Sequence, residues 1–296
     1  MSASPTLAIL TQAADGFWQR RYLIQLLVMR WQAMGVRVVV TTDADPFVPA
    51  DVAILHVDLS VVPDSCAQLA ERYPRVINGA ARDIRKRRYS QLLVERDGPE
   101  SGPLVVKTDL NSGGWREFRR SALESPLGPL LGRLGSDPVK NRALRWLESK
   151  RSWRTKRVLP LDYPVYATRA AVPKGVWDNP NLVVERFVAE RDGERYCCRH
   201  WLFLGSREVQ RRTLSSVPIV RFRSETTPLF EPVPGELREI RAQLGFDYGK
   251  FDYGLVDGRV FLYDANRTVG AAADPRKHEE TLAVLAPGIA EFIVRN

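Results

Sequence analysis

Lys250, Asp252, Asp264 and Asn266 stand close together in the stretch Lys250-Phe-Asp-Tyr-Gly-Leu-Val-Asp-Gly-Arg-Val-Phe-Leu-Tyr-Asp-Ala-Asn266. The stretch reads as two strands joined at Asp257-Gly258, and Asp-Gly between apolar alternating runs is a strong hairpin signal. Two carboxylates and an amide on neighbouring strands can hold Mg²⁺, which favours hard oxygen ligands and substrate phosphates. Asn two residues after Asp places both side chains on one strand face. The alternative is a surface hairpin with ordinary polar decoration.

Register decides between these readings. A two-residue turn would pair Val256 with Arg259 and Asp252 with Tyr263. Asp264 and Asn266 would then face away from Asp252. A shared metal site therefore predicts a three-residue loop, with Gly258 left-handed beside a bulge and Asp252 opposite or diagonal to Asp264.

Other residues suit anion chemistry. Lys107 ends the apolar run Leu104-Val-Val-Lys107 and precedes Asn111-Ser112-Gly113-Gly114, whose glycines could let backbone N–H groups close on phosphate oxygens. Lys86 lies among Arg82, Arg85, Arg87 and Arg88. Arg199, Arg211, Arg212 and Arg221 suit an anionic substrate, Arg211 and Arg212 best. Between Lys140 and Arg157 eight cations surround a single acid, Glu148, with Trp146 and Trp153 interleaved. That segment is read as a solvated helix packing a face of Leu144, Leu147 and Trp inward, or as a polyanion-docking surface. Cys197 and Cys198, adjacent on a strand, point to opposite faces and are read as structural. His56, His200 and His278 are scattered, and no Cys/His cluster has zinc spacing.

The elements that must position these groups follow from pattern. Leu7–Thr11, Val36–Thr41, Val52–Val57 and Arg75–Ile77 are expected strands, with helices at Phe17–Met34, ended by Gly35, and Asp64–Tyr73. This predicts a three-layer α/β unit with a parallel sheet. It lacks a Gly-x-Gly-x-x-Gly turn, which argues against a dinucleotide site. A basic helix over Asn78–Val94 and a strand at Pro103–Thr108 follow. A helical region runs from Arg116 to Lys156, interrupted at Pro126, Pro129 and Pro138. Strands are expected at Val158–Ala167, Asn181–Phe187 and Tyr196–Leu204, and helices at Glu236–Leu244 and Glu279–Val294 around the hairpin. The remainder is α+β, and no internal repeat or low-complexity tract is visible.

The 296 residues can hold two or three subdomains, and 44% hydrophobic with 27% charged content is that of a soluble globular protein. Three cysteines make no disulfide framework and favour a reducing compartment, so a cytoplasmic location is expected. Residues 1–10 lack the pattern of a signal peptide, and no run of about 18 apolar residues predicts a membrane span. A net charge of +9 suits an anionic partner. No nucleic-acid-binding module is visible.

Taken in order, the segments resemble the ATP-grasp superfamily over nearly the whole chain. Asn78-Gly-Ala-Ala-Arg-Asp-Ile-Arg-Lys86 is similar to the segment that begins with Asn and ends in a phosphate-contacting Lys. Leu104–Lys107 is similar to the strand whose Lys reaches the α/β-phosphates. Leu182-Val-Val-Glu185-Arg186-Phe187-Val188 is similar to the hinge that grips adenine, and Phe251–Asn266 to the metal-binding hairpin. The resemblance implies a parallel pre-ATP-grasp domain over residues 1–78. A linker and ATP-grasp N-terminal subdomain would span 79–184, and a C-terminal subdomain 185–296, the last two clamping the nucleotide. It implies ATP and Mg²⁺ (Mn²⁺ as a substitute), with Asp252, Asp264 and Asn266 as metal ligands. Lys86, Lys107, Ser112, Gly113, Gly114, Glu185, Arg186 and Val188 would hold nucleotide, with Glu190 or Asp192 on the ribose. Lys250, Arg211 and Arg212 would act on the transferred group. Two departures stand out: Asp264 where the family more often has Glu, and Lys250 where many members have Arg, losing the planar fork. The implied activity is ligation of a carboxylate to an amine or another nucleophile through an acyl phosphate. The substrate would be a small molecule or peptide, expected to be anionic, and a homo-oligomer is compatible. A kinase acting on a small-molecule hydroxyl and a non-enzymatic polyanion binder are the alternatives.

Overall fold

The computed structural model describes residues 4–126, 128–132, 137–221 and 226–293. They form two compact units: residues 1–83 with 190–296, and residues 84–189.

The first unit begins with parallel strands β1 (Thr6–Thr11), β2 (Arg37–Thr42), β3 (Val52–Leu55) and β4 (Val76–Ile77), in the order β2-β1-β3-β4. Alternation along β1 explains the layers. Leu7 and Ile9 join Leu23, Ile24, Leu27 and Trp31 of the helix Leu23–Ala33 in one core. Ala8 and Leu10 join Cys66, Ala67 and Leu69 of the helix Asp64–Ala70 in another. The expected helix over Phe17–Met34 is divided. A short turn at Phe17–Gln19 gives way to extended Tyr22, which bridges to Gly270, and the helix proper starts at Leu23.

The second unit carries β5 (Leu104–Thr108), β6 (Val165–Tyr166) and β7 (Leu182–Arg186), antiparallel in the order β6-β5-β7. Leu104, Val106, Leu182 and Val184 turn into its core with Val94, Leu159, Val172 and Val176. Two expectations are corrected here. The Asn78–Val94 stretch is not a helix beyond Lys86–Tyr89, because its backbone bonds go to neighbours instead. The N–H of Lys86 donates to the Asp109 carbonyl and that of Val94 to the Val184 carbonyl. Val158–Ala167 is strand only at Val165–Tyr166; Pro160 and Pro164 cannot donate to a ladder. The expected breaks in the helical region divide it into Trp115–Glu124, Gly128–Gly132 and Asp137–Ser149, with Pro129 and Pro138 second in the last two. Parts of the expected Arg116–Lys156 region lie outside the described residues.

The chain then returns to the first unit with β8 (Glu190–Asp192), β9 (Arg195–Leu204), β10 (Arg207–Ser215), β11 (Thr226–Leu229), β12 (Tyr248–Val256) and β13 (Arg259–Asn266). They form an antiparallel sheet ordered β11-β10-β9-β12-β13, with β8 paired to β9. One sheet face is aromatic: Trp201, Phe203 and Phe251 meet one another tilted or edge-on, and Phe246 meets Phe251 edge-on. On the other, Leu202, Leu204 and Tyr248 complete the core of the helix Leu23–Ala33. The closing helix runs only from Glu279 to Leu285 before Pro287 turns the chain to a 3-10 course; Val294 lies outside the described residues.

Candidate functional site

Asp257 and Gly258 both take left-handed backbone (φ 51° and 74°), and Val256 pairs directly with Arg259. The connection is therefore a two-residue turn of the kind Asp-Gly favours, not the expected three-residue loop. The register nevertheless shifts. Asp252 pairs with Asp264 but Tyr253 with Leu262, so Tyr263 is an extra residue in β13. The bulge lies within the ladder rather than beside the turn. Lys250 pairs with Asn266. Residues directly opposite in an antiparallel ladder share a face. Lys250, Asp252, Asp264 and Asn266 thus all lie on one face.

The sheet adds a neighbour that sequence reading missed. β9 pairs with β12 so that His200 stands opposite Asp252. The His200 Nδ1 lies 2.6 Å from Asp252 Oδ1, and Lys250 Nζ donates to Asp252 Oδ2 at 2.9 Å. The His200 Nε2 lies 2.9 Å from Thr213 Oγ1, and that oxygen is 2.8 Å from Thr226 Oγ1. Cys198, two residues before His200, shares this face opposite Thr213. Burial pushes the Asp252 carboxyl upward, but the Lys250 ammonium and His200 outweigh it and hold the group well below the ordinary carboxylate range. Burial likewise pushes Lys250 downward, yet the Asp252 charge and hydrogen bond, with Asp264, leave it above its ordinary value. The Cys198 thiol is driven well up by burial. A bound His next to an Asp could not be found by spacing, since 52 residues separate them.

As hard oxygen donors on one face, Asp252, Asp264 and Asn266 fit the chemistry of Mg²⁺. Asn266 Oδ1 also accepts from the Thr268 N–H at 2.9 Å and its hydroxyl at 3.2 Å. Next along the chain, fully buried Arg267 anchors the hairpin end by donating to the carbonyls of Val57, Leu59 and Ala81.

Of the two arginines expected to act with Lys250, only Arg211 shares its face, opposite His200; it donates to Glu280 at 2.9 Å. Arg212 stands opposite Arg199 on the aromatic side and pairs with Asp192 at 3.4 Å. The two candidate ribose acids also sit in this unit, on β8. Glu190 takes the Arg199 guanidinium on both oxygens at 2.9 Å and accepts the Leu255 N–H at 2.8 Å.

In the second unit Lys107 and Glu185 form an ion pair at 2.7 Å, with side chains 9% and 1% exposed. They occupy the face of β5 and β7 opposite the core. Lys86 Nζ donates to the Leu110 carbonyl and to Asn111 Oδ1, both at 3.3 Å, which brings it to the Asn111–Gly114 turn. Ser112, Gly113 and Gly114 all have positive φ. A Cβ on Gly113 or Gly114 would collide with the Leu159 or Arg157 carbonyl. Close approach of the 157–159 chain thus accounts for both glycines. Arg186 and Val188 follow on the hinge; the Val188 N–H donates to the Arg186 carbonyl at 3.1 Å.

The basic segment is largely spoken for. Arg145 lies over the Trp115 ring at 4.1 Å, Arg157 over Phe118 at 5.4 Å and Lys156 over Trp153 at 5.5 Å. Buried Glu148 accepts from the Arg157 and Val158 N–H groups and pairs with Arg151. Leu144 is buried as expected; Leu147 and Trp146 are exposed rather than packed inward.

A second polar cluster, also unforeseen, lies where β1 and β3 end. The Tyr22 hydroxyl is 3.0 Å from Asp15 Oδ1 and 2.9 Å from Asp58 Oδ2, and Thr268 donates to Asp58 Oδ1 at 2.9 Å. Burial raises the Asp58 carboxyl to about 6 and lowers His56, packed edge-on against Tyr22, to about 3.

No family model matches the chain, and no curated protein matches it. Among solved structures it is similar to a RimK domain ATP-grasp protein from Sphaerobacter thermophilus, at 13% identity over 97% of this chain and 99% of that one (TM-score 0.48). It is similar to a D-alanyl-alanine synthetase A from Vibrio cholerae, at 9% identity over 99% and 98% (TM-score 0.49). It is also similar to the ATP-grasp ligase PsnB, solved with minimal precursor, Mg and ADP, at 12% identity over 97% of each chain (TM-score 0.47). Among the described residues no helix is long and apolar enough to cross a membrane.

Proposed function

We propose that this chain is an ATP- and Mg²⁺-dependent ligase of the ATP-grasp type. The observation that carries the reading is the hairpin register: a bulge at Tyr263 sets Asp264 opposite Asp252 and Asn266 opposite Lys250. A decorative hairpin has no need of that bulge. Asp252, Asp264 and Asn266 would hold Mg²⁺, which when bound neutralises phosphate charge. Lys107 and Lys86 are the proposed phosphate contacts, and the Glu185–Val188 hinge the proposed adenine contact. Ser112 and Gly113 remain candidates for phosphate contact through their N–H groups, whereas the Gly114 N–H donates to the Asn111 carbonyl at 2.9 Å.

The residues present act by position and charge. Lys250 is held protonated by Asp252 and Asp264 and offers a fixed ammonium beside the metal ligands. Arg211, on the same face, is the better candidate for an anionic substrate than Arg212. In the proposed reaction a substrate carboxylate oxygen attacks the γ-phosphorus and ADP leaves. An amine or another nucleophile then attacks the acyl carbon and phosphate leaves. Small molecules and peptides are the substrate classes the reading admits.

Incubating the protein with Mg·ATP and pools of acids and amines tests this. The expected products are ADP, free phosphate and a condensed compound. A phosphorylated compound without free phosphate would make the protein a kinase. Absence of ATP turnover in every pool, with salt-sensitive polyanion binding, would overturn both enzymatic readings.

A further inference from the structure

We propose that Cys198, His200 and Asp252 form a binding site for a thiophilic divalent ion such as Zn²⁺. One ligand atom from each lies within 4.8 Å of the others. Strand geometry brings them together: Cys198 and His200 alternate onto one face of β9, and Asp252 faces His200 from β12. Thiolate, imidazole and carboxylate together are a zinc-type donor set, softer than the all-oxygen set Mg²⁺ prefers.

The surroundings are those of a supported ligand. Metal-bound histidines usually donate their second ring N–H to a fixed acceptor, which sets ring orientation and tautomer. His200 Nε2 has such a partner in Thr213 Oγ1 at 2.9 Å, which leaves Nδ1 as the ligating atom. Nδ1 faces Asp252 Oδ1, while Lys250 engages Oδ2. An entering ion would replace the His200–Asp252 hydrogen bond and leave the Lys250 contact in place. Among the described residues the thiol donates to the Arg199 carbonyl at 3.7 Å, a long contact that a metal–sulfur bond would replace. The Asp252 side chain is 20% exposed and opens the cluster to solvent, while His200 and Cys198 are buried. Binding exchanges the thiol proton for a metal–sulfur bond and involves no electron transfer. Asp252 also belongs to the proposed Mg²⁺ set, so a soft ion here would compete with Mg²⁺ there.

Co²⁺ added to the reduced protein is the direct test, and it needs no nucleotide, so its result is independent of the ligase reading. The expected result is one equivalent bound with a near-ultraviolet thiolate charge-transfer band, displaced by Zn²⁺. The band should vanish in Cys198→Ser and persist in Cys197→Ser and Cys66→Ser. Thr213→Val should weaken binding about 10–100-fold, the usual effect of losing an outer partner. X-ray absorption of the Zn²⁺-loaded natural protein, which requires no variant, should show one sulfur with nitrogen and oxygen ligands. Absence of a sulfur ligand, or a band that survives Cys198→Ser, would overturn the proposal.

Discussion

Each unit contains a lysine paired with a carboxylate in a partly dry setting, and the two pairs are built differently. Lys107 and Glu185 meet across β5 and β7 at 2.7 Å with almost no exposure. Lys250 and Asp252 are two residues apart on β12, meet at 2.9 Å and are 17% and 20% exposed. Asp252 also has His200. The first pair is a buried ion pair joining two strands. The second is one edge of a wider polar face, where removing one partner leaves another. A buried charge that loses its partner is costly, whereas a shared one is cushioned.

The sharpest way to break that contrast is stability. Lys107→Met leaves Glu185 buried and uncompensated and should cost about 3–5 kcal/mol. Lys250→Met, with His200 still on Asp252, should cost clearly less. Denaturant unfolding of both variants, and of Lys107→Met with Glu185→Gln, checks this. Equal losses in the two single variants would remove the distinction.

Catalysis should reverse the ranking. Asp252→Asn keeps the size of the side chain but removes its charge. It should lower ATP turnover by about 10²–10³-fold, the range seen when one fixed charge-stabilising group is lost. Steady-state ADP release measures it. Turnover within a few-fold of the unaltered protein would detach Asp252 from the chemistry.

What the sequence disclosed follows the range of each interaction. The β12–β13 pairing is local, signalled by Asp257-Gly258 and by alternation, and so were the four polar residues that it aligns. The bulge at Tyr263 was not visible, because nothing local distinguishes it from a bulge at the turn. β8, β10 and β11 went unread because they are short or rich in polar residues. His200 met Asp252 only through the long-range β9–β12 pairing. The Asn78–Val94 stretch misled for a physical reason. Its residues tolerate a helix, but Asn78 is held left-handed, its amide bonded to Asp247 and Tyr248. Tertiary bonds there outweighed propensity.

The acidic cluster offers a contrast with Asp252 in pH dependence. The Asp252 carboxyl is depressed, so its contribution to stability is present above the unfolded value and lost as the pH falls toward the folded one. Asp58 is raised by burial from 3.8 to about 6, so the folded state binds its proton more tightly than the unfolded state does. Stability from this group is therefore full below about pH 4 and lost as the pH rises through 6. Asp58→Asn should stabilise the protein at pH 8 by an amount on the order of 1 kcal/mol, with the gain shrinking toward pH 4. Thermal unfolding across that range measures it; a gain that grows on acidification would contradict the assignment.

The smallest effect is expected where charge is densest. The Lys140–Arg157 segment carries eight cations, and six of them lie over aromatic rings or pair with acids of its own unit. Arg145, Lys156 and Arg157 lie over rings, Arg151 pairs with Glu148, and Arg154 with Asp178 at 2.8 Å. These contacts give the cations a packing role that needs no ligand. An exposed pair such as Arg154–Asp178 contributes at most about 1 kcal/mol, and buried Glu148 keeps the Arg157 and Val158 N–H groups when Arg151 is replaced. Replacing Arg142, Lys150, Arg151 and Arg154 by Gln should therefore leave ATP affinity within a few-fold by calorimetry. Loss of nucleotide binding in a variant that stays folded would place the segment in the active site. It would also mean that the Lys107–Glu185 pair is not the centre of cation chemistry in its unit.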